Sequence, residues 1–63
     1  MTFCKMLATA KRDEDTITAY ELHDYGSAVP RYEITVSRDG IARLIQPTAR
    51  TTWKKRFKEM ANV

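Results

Sequence analysis

The sequence predicts a small α+β protein in which an antiparallel β-meander of three or four strands is covered on one face by a single C-terminal helix. Three observations carry this prediction: apolar and polar residues alternate over residues 31–37, an Asp39-Gly40 pair separates two β-rich runs, and the last third of the chain is amphipathic. These are the respective signatures of a strand, a hairpin and a helix. With 63 residues, the chain is expected to form one domain (residues 1–63) near the lower size limit for a core without disulfides or metal.

The strand prediction is firmest at residues 31–37, where Tyr32, Ile34 and Val36 share one face. The Asp-Gly pair joins this strand to a second one at residues 41–46, and residues 16–24 are β-rich enough to form a third. Residues 3–10 fit both a helical and a strand pattern. The strand is preferred, with its hairpin closed by the acidic run at 13–15, because a short helix without a firm cap would be marginal.

The hairpin register has two alternatives. A two-residue turn places Ile34 opposite Ile45 and leaves Leu44 outward, whereas a three-residue loop places Ile34 opposite Leu44 and leaves Ile41 and Ile45 outward. The three-residue loop is preferred. Either way, aliphatic side chains remain outside, and on so small a protein they can form a partner contact or a homodimer.

The last third of the chain predicts an amphipathic helix with Thr48 as its N-cap. Five apolar residues of this helix fall within an arc of roughly 120° that suits packing on a sheet: Ala49, Trp53, Phe57, Met60 and Ala61. Arg50 projects into the same arc. Its stem is therefore expected to pack while its guanidinium reaches Glu33, a backbone carbonyl, or a carboxylate or phosphate of a partner.

Charge is distributed unevenly along the chain, whose formal net charge is +3. Residues 1–39 carry five basic and seven acidic side chains (net −2), whereas residues 40–63 carry six basic and one acidic (net +5). Such a polarity favours nucleic acid, or an acidic protein surface, as partner. The candidate phosphate-binding residues are Arg43, Lys54, Lys55, Arg56 and Lys58. A solvated helix face is the competing interpretation of the same cations.

The sequence offers little for catalysis, and neither an enzyme nor a cofactor is expected. His23 is the only histidine, and the adjacent Asp24 would point to the opposite face of a strand, so His23 is expected to be exposed and merely solvated. One histidine and one cysteine cannot build an ordinary structural zinc site by themselves. The single Cys4 favours a reducing compartment and hence a cytoplasmic location. No apolar run is long enough to predict a membrane span.

The segment TARTTWKKRF (residues 48–57), at the end of a tiny basic β-meander, resembles in overall character the small accessory proteins of bacteriophages and other bacterial mobile elements. The order of a three-stranded sheet followed by a helix is also similar to the arm-site DNA-binding domains of some phage-type integrases, although a shared fold does not fix a function. We expect a small non-enzymatic module that binds nucleic acid. The alternative is a protein-interaction or inhibitory module of phage or mobile-element type, which could form a homodimer. Its contact residues would be Ile41, Ile45 and Arg50.

Overall fold

The computed structural model describes residues 2–61, which form four strands followed by one helix. The elements are β1 (Thr2–Arg12), β2 (Asp15–Asp24), β3 (Arg31–Arg38), β4 (Ile41–Thr48) and α1 (Trp53–Ala61). The strands make one antiparallel sheet in the order β1-β2-β3-β4, and α1 packs on one face of it, mainly over β2 and β3. The predicted α+β meander with one C-terminal helix is confirmed, and the ambiguous residues 3–10 are strand.

Tight turns of two residues connect β1 to β2 and β3 to β4. In the second turn, Asp39 has φ 53° and Gly40 has φ 77°. Positive φ at both central residues defines a type I′ turn, whose twist matches that of the flanking strands. The hairpin predicted from the Asp-Gly pair is therefore confirmed, with the two-residue rather than the preferred three-residue connection.

Beyond the turn, the β3–β4 register departs from both predicted alternatives. Ser37 pairs with Ala42 as a two-residue turn requires, but the next pair joins Val36 to Leu44. Arg43 is the extra residue of a β-bulge, which shifts the rest of β4 by one position. The sequence pattern carries no signal for this insertion, because any residue type can occupy the bulge.

The bulge decides which aliphatic side chains face the helix. Ile34 lies opposite Gln46, so both predicted partners, Leu44 and Ile45, were wrong. Leu44 lies on the helix-bearing face, whereas Ile45 lies on the open face as predicted. Ile41, predicted to be outward, is exposed at the hairpin tip but shares the helix-bearing side of the sheet, because it pairs with the last residue of β3.

The core between α1 and the sheet is small. Ile17, Ala19 and Ile34 are fully buried at its centre. Partly buried apolar residues surround them: Leu7, Ala8, Val36, Trp53, Phe57 and Met60. The predicted anchoring of the helix by Trp53 and Phe57 is thus confirmed. The aromatic side chains of Phe3 and Tyr25 lie outside this core and are exposed.

The helix begins later than predicted. β4 continues through Pro47, which an edge strand tolerates, to Thr48. A turn follows in which the backbone N–H groups of Thr52 and Trp53 both donate to the carbonyl of Ala49, at 3.1 and 2.9 Å. The Thr52 hydroxyl accepts the N–H of Ala49 at 3.3 Å. Thr48 is therefore not the N-cap, and Ala49, placed by the sequence in the buried arc, is exposed.

Candidate nucleic-acid interface

Arginine side chains engage most of the acidic groups on the sheet. Arg31 donates to Asp24 at 2.6 Å and to Glu33 at 3.3 Å, and Arg38 donates to Asp15 at 2.9 Å. The hydrogen bond from Arg31 is the main reason why the pKa of Asp24 lies below its ordinary value. Two of these pairs join β2 to β3, and the pair of Arg31 and Glu33 lies within β3, so negative charge on the sheet is largely balanced where it occurs.

Glu21 is held between Tyr32 and His23 on the helix-bearing face of the sheet. The Tyr32 hydroxyl donates to one carboxylate oxygen at 2.5 Å, and Nε2 of His23 lies 2.9 Å from the other. The bond from Tyr32, and secondarily that from His23, lowers the pKa of Glu21, and the same bond raises the pKa of Tyr32. His23 is thus exposed as expected, but it is bonded rather than merely solvated. The sequence does not reveal that Tyr32 lies beside Glu21, because the pairing of β2 with β3 brings the two residues together.

The exposed side of α1 carries the largest group of unneutralised cations. Within residues 2–61, three helix lysines make no ion pair: Lys54, Lys55 and Lys58. Arg56 is the exception, because its guanidinium lies 3.7 Å from Glu59 one turn later. The ammonium group of Lys54 also lies 5.9 Å from the centre of the Trp53 ring, in cation–π range.

The helix cations approach a shallow cleft of about 230 Å³. Thr52, Lys55, Arg56 and Glu59 line it, and they share one side of the helix because they lie three or four residues apart. The cleft presents a hydroxyl and two cations, which suit phosphate oxygens, together with one carboxylate that Arg56 already engages. A phosphate group can therefore be contacted here by Lys55 and the Thr52 hydroxyl.

The remaining candidate arginines lie outside α1. Arg43 is the bulged residue of β4 and is exposed. Arg50 lies in the turn before the helix, so the helical projection that predicted its packing does not apply. It makes no bond to Glu33, which Arg31 engages. Arg50 instead lines an open groove of about 580 Å³, together with Val29, Pro30, Tyr32 and Pro47 among others.

The distribution of free cations sharpens the polarity noted in the sequence. Seven of the eleven basic side chains make no hydrogen bond or ion pair within the described chain: Lys5, Lys11, Arg43, Arg50, Lys54, Lys55 and Lys58. Five of these seven lie between residues 43 and 58. Positive charge is therefore not only concentrated in the last third of the sequence but also left available there.

Residues 2–61 contain no group of three or more histidine, cysteine, aspartate or glutamate side chains placed to hold a metal ion. The same part of the chain has no helix with the length and apolar character that crossing a membrane requires. Comparisons with protein-family models, with curated proteins and with solved structures found no match. Inference about function therefore depends on the site itself.

Proposed function

We propose that this protein is a small non-enzymatic module that binds nucleic acid through the exposed side of α1, with Arg43 as a flanking contact. The observation that carries the proposal is the set of unpaired lysines on this helix, in a protein most of whose acidic side chains already have a partner. Each phosphate that such a lysine neutralises releases a counterion, which drives binding without reading the base sequence. The phosphate-binding residues are Arg43, Lys54, Lys55, Arg56 and Lys58.

The position of these cations in α1 argues against a merely solvated face. Because the helix begins at Trp53, Lys54, Lys55 and Arg56 lie in its first turn, which contains no acidic residue. A cation there opposes the helix dipole at a cost of ~0.3–1 kcal/mol, whereas Lys58 in the last turn complements it. Lys54 and Lys58 also repel each other at i and i+4. Bound phosphate would remove both penalties and would meet the positive end of the dipole.

Salt dependence of binding is the direct test. Binding of Lys55→Ala/Lys58→Ala to duplex DNA and to single-stranded RNA should be weaker for every sequence tried, with the slope of log affinity against log salt reduced by about two. The matched control is Lys5→Ala/Lys11→Ala, which removes the same charge from two exposed residues of β1. Its affinity should remain close to that of the parent protein.

Two outcomes would contradict the proposal. An absence of measurable binding to either nucleic acid at low salt would eliminate the function itself. Equal weakening of both double variants would show that net charge alone drives binding and that α1 is not the site. Circular dichroism melting of both variants provides the control for folding, since neither pair contributes to the core.

A second candidate function, recognition of an acidic protein partner as a protein-interaction or inhibitory module, rests on the groove beside Arg50. Its lining is largely apolar, with Val29, Pro30 and Pro47, while Arg50 supplies an unpaired cation at its edge. Such a combination suits a peptide that carries an apolar side chain next to a carboxylate. Arg50→Ala would weaken this interaction and leave nucleic-acid binding through α1 nearly unchanged, which separates the two candidates.

A further inference from the structure

The face of the sheet opposite α1 is left uncovered by residues 2–61. Side chains alternate between the two faces of a strand, so the residues of this open face are those whose neighbours point towards the helix. One row of the open face crosses all four strands, because Thr9 pairs with Thr18, Thr18 with Thr35, and Thr35 with Ile45. A second row begins with the pair Met6 and Tyr20.

The row of the open face that runs from Thr9 to Ile45 is uncharged, and the face is partly apolar. Met6 and Ile45 are 60% and 54% exposed, although methionine and isoleucine are among the residues most often buried. Glu33 lies in the second row of this face, opposite Tyr20, and Arg31, which is bonded to Asp24, also donates to Glu33 at 3.3 Å. Lys11 lies on the same face near the β1–β2 turn and makes no bond within the described residues. The open face therefore offers no unpaired cation at its centre for a phosphate or an acidic protein.

The accessible surface of the chain is larger than expected for a protein of its mass. It measures 4767 Å² for 7.3 kDa, whereas monomers of this mass average about 4,200 Å². Among residues 2–61, only two large side chains, Ile17 and Ile34, are fully buried. A core of this size is small for independent folding, and association is one of the usual remedies. A partner that buried about this excess would return the accessible surface of the chain to the value usual for its mass.

We propose that a second copy of this chain covers the open face, giving a homodimer in which two sheets pack face to face. The two longest dimensions of the molecule are 38 and 24 Å, so this face approaches the roughly 800 Å² per partner that a standard interface buries. The row at the centre of this face carries only threonine and isoleucine side chains, so it is compatible with itself, as a two-fold interface requires. The two α1 helices would lie on opposite outer surfaces, both accessible. The proposal does not depend on nucleic-acid binding.

Sedimentation equilibrium of the protein alone, from low micromolar to millimolar concentration, tests the dimer. The parent should change from 7.3 kDa to twice that mass as concentration rises. Ile45→Lys places a charge in the centre of the interface and should raise the dimer dissociation constant at least tenfold. The matched control, Ile41→Lys, adds the same charge to an exposed isoleucine of the same strand that lies on the helix side, and it should dimerise like the parent.

The thiol of Cys4 provides a second measurement that needs no variant. Cys4 is exposed and lies on the open face two residues from Met6. Its rate of alkylation by a maleimide should fall as the parent concentration rises through the dimerisation range, and Ile45→Lys should abolish that protection. A parent that stays at monomer mass throughout would overturn the proposal. So would a dimer that leaves Cys4 unprotected, or one that Ile41→Lys disrupts as strongly as Ile45→Lys. Should Ile45→Lys fail to fold, parent mass and thiol protection decide the question.

Discussion

The guanidinium of Arg12, the last residue of β1, donates a hydrogen bond to the backbone carbonyl of Met60 in the last turn of α1, with 3.1 Å between Nη1 and the oxygen. Carbonyl groups of a last helical turn have no partner within the helix and form the negative end of its dipole. The Arg12 guanidinium supplies a hydrogen-bond donor to one of these carbonyls and a positive charge at the negative end of the dipole. The bond also joins the edge of the sheet to the end of the helix, 48 residues apart in sequence.

Arg12→Ala should lower the free energy of unfolding by about 1 kcal/mol, because it removes one charge-assisted hydrogen bond and one favourable interaction with the helix dipole. Urea denaturation measures the loss. Lys11→Ala is the control, since Lys11 is the adjacent cation and makes no bond within the described residues. Equal losses in the two variants would attribute the effect to charge in general and not to the contact with Met60.

Trp53→Ala or Phe57→Ala should remove about 3 kcal/mol or more of stability, because both aromatic rings pack on the central cluster of the core. That is a large part of what so small a protein possesses, so both variants should be largely unfolded at room temperature. Thermal melting followed by circular dichroism measures the effect. Lys55→Ala, on the exposed side of the same helix, should stay within about 0.5 kcal/mol of the parent. Two aromatic variants that melt like the parent would mean that α1 docks elsewhere.

The sequence predicted the fold class because its local signals agree with the tertiary structure. The face formed by Tyr32, Ile34 and Val36, the hairpin at Asp39 and Gly40, and the packed side of the helix were all present as periodicity or turn chemistry. The errors lie where a long-range effect overrides a local one. The bulge at Arg43 shifts the β3–β4 register by one residue from the register that a two-residue turn sets. Strand pairing also extends β4 past Pro47 to Thr48, which local rules assign to a helix N-cap.

The candidate site was predicted in composition but not in geometry. The positions of Lys55 and Lys58 follow from sequence, because a helix period places them opposite the apolar arc. Their lack of acidic partners could not be predicted, since it depends on Arg31 and Arg38 engaging the acids of distant strands. The projection of Arg50 failed for a simpler physical reason. It assumed a helix that starts four residues too early.

The hydrogen bond from Tyr32 to Glu21 should make the free energy of unfolding depend on pH in the acid range. Glu21 has a pKa below its ordinary value, chiefly because of this bond and next because of His23. When the pKa of a carboxyl group is lower in the folded than in the unfolded state, the group stabilises the folded state. This contribution is complete above the unfolded pKa and is lost as pH falls through the folded pKa. The free energy of unfolding should therefore decline below about pH 4.3. Asp24, whose pKa is lowered mainly by Arg31, adds to the decline.

Tyr32→Phe should make this decline shallower, because Glu21 would then titrate closer to its unfolded pKa. Urea denaturation over a series of pH values measures the slope. Tyr20→Phe is the matched control: it removes the hydroxyl of a tyrosine on the open face that makes no side-chain hydrogen bond in the described part of the chain. Identical pH profiles for Tyr32→Phe and the parent would show that the bond to Glu21 does not contribute in solution.

Gly40→Ala should destabilise the protein by about 1 kcal/mol, because φ at this position is 77° and an L-residue pays that cost in the left-handed region. A Cβ atom at Gly40 would meet nothing within 4 Å, so the loss should be torsional and not steric. Asp39→Asn is the control. Asparagine accepts positive φ and Asn-Gly is a favoured type I′ pair, so this variant should stay within about 0.5 kcal/mol of the parent. If Gly40→Ala melted like the parent, the turn would not be of type I′ in solution.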